Sequence, residues 1–380
     1  MVSGCALSSL GLLWISVTLF LTSLGFVYAL EYGGDWVGGL WFSVVTVLFF
    51  IVGDAGVMCV LFELLNLPLL GMLWFRSHVG LKGILNASIL LVVYSLTSGM
   101  MLVVGVSIQI GLLIGLAAGV KLALVPVHVW LGKVHVECST LGSVLLAGVA
   151  LKVGYYVGML FGSLVYPYLA SSTWFFFLGV VVVQLSLLDA VDGKRFVALF
   201  SVAHMQVLII FLGSSGFSLL SSSFVSVGMV AHSLVSAGLF FVVGRLVESL
   251  GTRNVLELSI ASSSIPFFLL ILIASNCALP LSSLFIVEIV GHASLLASSN
   301  LLLVLSLLAF TALSFLACVM VLGRSVIGLS PLPSFHTVPL FVASCSSFFS
   351  WLVFLVLFTH TGCSLLYHSV NDGCYHDKLC

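Results

Sequence analysis

Apolar stretches of about twenty residues follow one another along nearly the whole chain, and they dictate what it can fold into. Twenty residues of α-helix rise about 30 Å, the thickness of the hydrocarbon core of a bilayer. About twelve such stretches are legible, near 7–30, 37–53, 55–75, 84–106, 108–130, 139–163, 172–190, 196–213, 218–247, 264–291, 300–322 and 337–360. The runs are long and continuous, whereas barrel strands would show short alternating segments. Only 6% of the 380 residues are charged, against about a quarter in a soluble domain. The expected fold is therefore all-α: one integral membrane domain over 1–380, a polytopic transmembrane helix bundle. The connections are too short to hold a soluble domain, and a net charge of −1 offers no basic face for nucleic acid.

Four charges interrupt the apolar stretches. Lys121 lies in IGLLIGLAAGVKLALVPVHVW, Lys152 in LGSVLLAGVALKVGYYVGML, Glu63 in VMCVLFELLNLPLLGMLWF and Glu288 in LPLSSLFIVEIVGHASLL. A charge at the centre of a helix in lipid costs about 2.5–3.5 kcal/mol on insertion scales. Four of them on four segments point to a polar pathway inside the bundle, one that moves protons or ions. Taken singly, each is equally well a static buried salt bridge.

Histidines recur in the same setting. His128 follows Lys121 by seven residues, two turns on if the helix continues, and His204 and His232 fall on later stretches. Imidazole titrates near neutrality and relays protons through its two nitrogens, but an intramembrane histidine also serves as a hydrogen-bonded packing residue. His292, one turn after Glu288, shares its helical face.

Pro126 follows Lys121 and Pro280 precedes Glu288, and proline inside a span removes a backbone hydrogen bond. Broken helices beside buried charges, one in each half of a chain, are a pointer to a transporter's ion site. Gly111, Gly115 and Gly119 give the helix of Lys121 a small-residue face for close packing. Lys133, His135, Glu137, Asp192, Lys194, Arg195 and Arg253 fall near span ends, where they would set the membrane boundary, cap helices and meet partners.

The nine cysteines lie mostly in apolar runs. The tail with Cys374, His376, Asp377 and Cys380 fits no common zinc spacing and reads as a polar end outside the membrane. No phosphate-cradling loop, dinucleotide fingerprint or credible metal-ligand cluster is legible, so no cofactor and no metal are expected. The first ten residues lack Lys and Arg, and the apolar N-terminus reads as a first span rather than a cleaved signal. Abundant Phe, Val, Gly, Leu and Ser with scarce Gln and Pro suggest a G/T-rich coding strand, as in some organelle genomes.

The segment VKLALVPVHVWLGKVHVECSTLGSVLLAGVALKVGYY (120–156) resembles the signature region of the antiporter-like membrane subunits of respiratory complex I, NADH:ubiquinone oxidoreductase, a family shared with multisubunit cation/proton antiporters. It matches at Lys121, His128, Trp130, Lys133, His135, Glu137, Gly142, Ser143, Lys152, Gly154 and Tyr156. DGKRFVALFSVAHM (192–205), MVAHSLVSAGLFF (229–241), NCALPLSSLFIVE (276–288) and LFELLNLP (61–68) are similar to further family motifs. The acid at 288, where sibling subunits carry lysine, favours the subunit-4 branch. Positions 123, 132 and 139 carry Ala, Gly and Ser where the family has proline, Pro126 stands where it has glycine, and Val287 replaces a glycine. These departures would displace the first helix break by about a turn.

The resemblance implies two inverted-repeat halves with broken helices, here 37–163 and 172–322, followed by a C-terminal helix and tail over 323–380, and a bundle shortened at the N-terminus. It implies proton translocation through Glu63, Lys121, Lys152 and Glu288, with His128, His204 and His232 as relay candidates. Glu63 and Lys121 would form a switching ion pair, Lys152 the central relay and Glu288 the terminal acid. The implied setting is the mitochondrial inner membrane, beside other membrane-arm subunits and lipid. NADH oxidation and quinone reduction would occur elsewhere in the complex, leaving this subunit without a redox site. The alternatives are a sibling or antiporter subunit, or a membrane scaffold that keeps the fold without pumping.

Overall fold

The computed structural model describes residues 4–32, 34–75, 81–214, 219–254, 265–279 and 282–297. Pro280, the expected spans 300–322 and 337–360, and the tail from 323 to 380 lie outside the described residues. The described chain is helical throughout, with one isolated bridge between Asp192 and Asn254.

Fifteen α-helical segments and one π-helical turn follow in order among the described residues. They are α1 (Gly4–Tyr32), α2 (Trp36–Ile51), α3 (Ala55–Leu64), α4 (Asn66–Phe75), α5 (Leu81–Ile108), α6 (Gly111–Lys121), α7 (Val129–Glu137) and α8 (Thr140–Leu145). The π turn, Leu146–Ala150, leads into α9 (Leu151–Leu160), then α10 (Gly162–Ser171), α11 (Thr173–Leu188), α12 (Gly193–Ser214), α13 (Leu219–Leu250), α14 (Ile265–Asn276) and α15 (Ser283–Ala297). Asp35 and Asp54 cap α2 and α3 by accepting from the N–H groups of Gly38 and Val57 at 2.9 Å.

Six of these spans are long and apolar enough to cross a membrane, and a seventh is formed if α10 and α11, bent by 68° at Ser172, count as one. They are not equivalent. The span of α12 is wholly buried and that of α13 94% buried, whereas α5 is only 33% buried. Apolar composition is the same in both kinds, so burial rather than hydrophobicity distinguishes the centre of the bundle from its lipid-facing edge. Lys152, His204 and His232 lie on the central helices α9, α12 and α13.

Two expected spans are interrupted. The stretch near 108–130 is α6 and α7 with a non-helical connection over 122–128, and the stretch near 264–291 is α14 and α15 with helix absent from 277 to 279. The glycine face of α6 packs against α10. A Cβ at Gly111 would lie 1.9 Å from the Leu164 carbonyl oxygen of α10. The closest approach to α9 is supplied from the other side, by Gly154, whose Cβ would meet the Ala118 oxygen at 2.7 Å and the Lys121 Cβ at 3.1 Å.

Candidate functional site

The two helix breaks are built alike. After Lys121, the N–H of Ala123 donates to Val120 O at 3.1 Å and that of Leu124 to Gly119 O at 2.9 Å, with Ala123 left-handed at φ 55°. After Asn276, the N–H of Ala278 donates to Ser275 O at 3.3 Å and that of Leu279 to Ala274 O at 3.1 Å, with Ala278 at φ 49°. Both are the helix-ending motif that glycine usually serves. Proline, fixed near φ −65°, would not fit position 123 in this conformation. The break therefore begins at Lys121 itself, with Pro126 inside the connection.

Stopping a helix in mid-bundle leaves carbonyls to be satisfied. At the first break the indole Nε1 of Trp130 donates to Val120 O at 3.2 Å. At the second, His204 lies within electrostatic reach of the Asn276 backbone.

Lys121 is 4% exposed at the end of α6. Its ammonium donates to Asn66 Oδ1 at 2.7 Å and stands 4.8 Å from the centre of the Phe62 ring. Asn66 Nδ2 in turn donates to the Glu63 carbonyl oxygen at 3.1 Å. Glu63 and Lys121 are within electrostatic reach but form no direct ion pair. The Glu63 carboxylate occupies a slot on α5 that exists because residue 99 is glycine; a Cβ there would lie 1.9 Å from Oε1. A cavity of about 10 Å³, the size of one water, touches Asn66, Ser95, Ser98, Lys121 and Trp130. Asn66 was not singled out in the sequence, although it stands one turn after Glu63 in an otherwise apolar run.

Lys152 is fully buried. It follows the π turn, in which the Leu151 N–H reaches back five residues to Leu146 O. The Lys152 ammonium donates to Ala147 O at 2.5 Å and meets His232 Nδ1 at 3.2 Å. The His232 ring lies 5.5 Å from that of His204, centroid to centroid, and His204 Nδ1 is 3.6 Å from Glu288 Oε1. Four helices thus bring Lys152, His232, His204 and Glu288 into one line across the core, though they span 136 positions of sequence. Lys121 stands apart from it, its ammonium turned to Asn66 while that of Lys152 turns to His232.

Three residues occupy places the sequence did not suggest. His128 is not two turns along a continuous helix from Lys121, because residues 122–128 are not helical; it lies in the connection, half-buried. His135 and Lys194, expected at the boundary, are buried. His135 stacks on Phe240 with centroids 4.0 Å apart and lies within electrostatic reach of both Lys152 and Lys194. The Lys194 ammonium donates to Cys138 O, the C-cap carbonyl of α7, at 2.8 Å. The other end-of-span residues do tie helix ends together. Arg253 pairs with Glu137 at 3.1 Å, and Asp192 Oδ1 accepts from the Lys194 and Arg195 N–H groups. His292 Nδ1 lies 2.5 Å from the Glu288 carbonyl oxygen, so it meets the backbone of Glu288.

Chemically, the line consists of groups that each take up and release a proton. An imidazole accepts at one nitrogen and releases from the other. Nδ1 of His232 faces the lysine and Nδ1 of His204 faces the carboxylate, and between them the two rings meet at 5.5 Å, centroid to centroid.

Residues 46–316 match the family described as NADH:quinone oxidoreductase/Mrp antiporter, TM. Proteins named NADH-ubiquinone oxidoreductase chain 4 are similar. That of Chlamydomonas reinhardtii is 36% identical over 203 residues, covering 50% of this chain and 44% of its own length. That of Acanthamoeba castellanii is 34% identical over 180 residues, covering 44% and 35%. The chain thus spans less than half the length of the curated relatives it matches. The fold is similar to a chain of respiratory complex I from Thermus thermophilus with bound NADH, at TM-score 0.76 and 22% identity over 94% of this chain and 85% of that one. It is also similar to a chain of the Mrp complex from Dietzia sp. DQ12-45-1b, at TM-score 0.76 and 16% identity over 86% and 68%. The ordered motifs, the two broken helices and the family match over most of the sequence establish that this chain belongs to the NADH:quinone oxidoreductase/Mrp antiporter transmembrane family.

Proposed function

We propose that this chain is a proton-translocating membrane-arm subunit of mitochondrial NADH:ubiquinone oxidoreductase, of the kind its relatives named chain 4 represent. The observation that carries the reading is the buried line Lys152, His232, His204, Glu288, whose members lie 3.2 to 3.6 Å apart at its two ends. A static structural pair would need one cation and one acid. Two interposed imidazoles add nothing to such a pair, but they are what a stepwise proton transfer requires.

In this reading Glu63 and Lys121 act as one charge-bearing unit with Asn66 between them, Lys152 is the central carrier and Glu288 the terminal acid. NADH oxidation and quinone reduction take place in other subunits, and the neighbours in the membrane are antiporter-like subunits and lipid. Residues 37–163 and 172–322 form two halves, each carrying one broken helix.

Lys152→Met tests the function. Methionine keeps length and apolar bulk but carries no proton. The assembled variant, reconstituted in vesicles, is expected to retain part of its NADH:quinone turnover while translocating fewer protons per electron. An unchanged proton-to-electron ratio would remove Lys152 from the path. A second reading, a scaffold that keeps the fold without pumping, draws on the separation of Lys121 from Lys152. It predicts that the ratio is insensitive to Lys152, His204 and His232 alike.

A further inference from the structure

A cavity of about 410 Å³ lies at the end of the bundle where α5 and α12 begin, α7 passes and α11 stops. Its size falls in the range of small-molecule sites, about 300–1,000 Å³. The polar groups that bound it include Asn86, His128, Lys133, Glu137, Asp192 and Arg195.

The charges here do not cancel. Glu137 is already engaged by Arg253 at 3.1 Å. Asp192 Oδ1 is occupied by the backbone N–H groups of Lys194 and Arg195, at 2.9 and 3.2 Å. No side-chain hydrogen bond or ion pair among the described residues engages the Lys133 ammonium or the Arg195 guanidinium. The lining cations Lys133 and Arg195 match the lining carboxylates Glu137 and Asp192, and Arg253, paired to Glu137 from beside the cavity, adds one positive charge in excess. Lys82 and Asp189, nearby in sequence, add one charge of each sign. His128 Nδ1 is buried there without a hydrogen-bond partner.

The flanks are apolar. Leu85 and Ile89 on α5, Val182 and Leu185 on α11, and Val129 at the start of α7 are each about half exposed. A polar, positively charged cavity at the end of membrane-spanning helices, with aliphatic side chains beside it, suits a ligand with an anionic head and apolar tails. We propose that this cavity binds the phosphodiester headgroup of an anionic phospholipid. The phosphate would meet Lys133 and Arg195, and the acyl chains would run along the exposed aliphatic sides of α5 and α11. One phosphodiester carries the single negative charge that the cavity leaves unbalanced. The site is separate from the buried line and does not depend on the function proposed above.

The test uses the intact protein in its native assembly, reconstituted with phosphatidylglycerol bearing a photoactivatable group beside its phosphate. Labelling is mapped by peptide mass spectrometry. The expected sites lie within 128–137 and around Ser186. Labelling should fall about thirtyfold in the Lys133→Gln, Arg195→Gln double variant, because each cation near a membrane surface contributes about fivefold to anionic-lipid binding. Lys82→Gln should leave it unchanged. Equal labelling by the phosphatidylcholine analogue, labelling that ignores the double variant, or no labelling of these segments would overturn the proposal. Loss of labelling in excess inorganic phosphate would assign the cavity to free phosphate instead. The comparison of the two lipids on the unaltered protein stands whether or not the double variant assembles.

Discussion

The ammonium of Lys121 is held by Asn66, at 2.7 Å, and not by the carboxylate of Glu63 one turn earlier on the chain. A neutral amide satisfies the lysine without neutralising it. Glu63 stays close enough to be felt and Lys121 stays free of a direct pair, so less would have to be broken were the lysine to give up its proton.

Asn66→Leu should therefore remove a hydrogen bond to a charged group, an interaction of about 1.5–3 kcal/mol. The expected result is a lower melting temperature for the assembly and slower proton translocation. Asn66→Asp should restore stability and slow translocation further, because a direct ion pair would pin the lysine. Thermal unfolding and proton uptake on the same preparations check both. If Asn66→Leu matches the parent in each, the bond has no role.

His232→Gln separates hydrogen bonding from proton transfer. The amide oxygen can still accept from Lys152, so stability should change by less than about 1 kcal/mol, within the span of a typical hydrogen bond. Proton translocation should fall by an order of magnitude or more, because an amide does not carry a proton through. Retained translocation would show that protons bypass this ring.

Gly99→Ala asks whether the slot for Glu63 matters. The added methyl would lie 1.9 Å from Glu63 Oε1, so the carboxylate must leave. Overpacking of this kind costs about 1–3 kcal/mol. Stability and translocation should both decline, and restoring Gly99 should recover both. A silent Gly99→Ala would mean that Glu63 is free to move without consequence.

Glu137→Gln serves as a contrast. Its pair with Arg253 is partly exposed, and surface pairs contribute about 0–1 kcal/mol. Proton translocation per electron should be unchanged. A large drop would tie this end of the bundle to the pathway itself.

Much of this was legible in the sequence, for identifiable reasons. Span positions followed from apolar runs because lipid tolerates little else, and Lys121, Lys152, Glu63 and Glu288 stood out because charge is costly there. The line through His232 and His204 was not legible as a line, since its members are adjacent only after folding. His135 and Lys194 were assigned to the boundary because they sit among other charges, and a residue's neighbours in sequence do not report how far its helix end is covered. The breaks were suspected from Pro126 and Pro280, yet the turning residues are Ala123 and Ala278, and alanine carries no signal for positive φ. What did carry one was the repeated word: Lys-Leu-Ala-Leu at 121–124 and Asn-Cys-Ala-Leu at 276–279 share their third and fourth letters and their hydrogen bonds.

That repeated helix ending has an electrical consequence. A helix that stops inside the bundle places the negative end of its macrodipole there, about half an elementary charge at the last carbonyls. α6 stops at Lys121, and α14 stops at Asn276, within electrostatic reach of His204. Each break thus holds a fixed negative pole made of backbone alone, beside a side chain able to carry positive charge. Substituting a side chain cannot delete these poles, so a cation can be held there even where no carboxylate touches it.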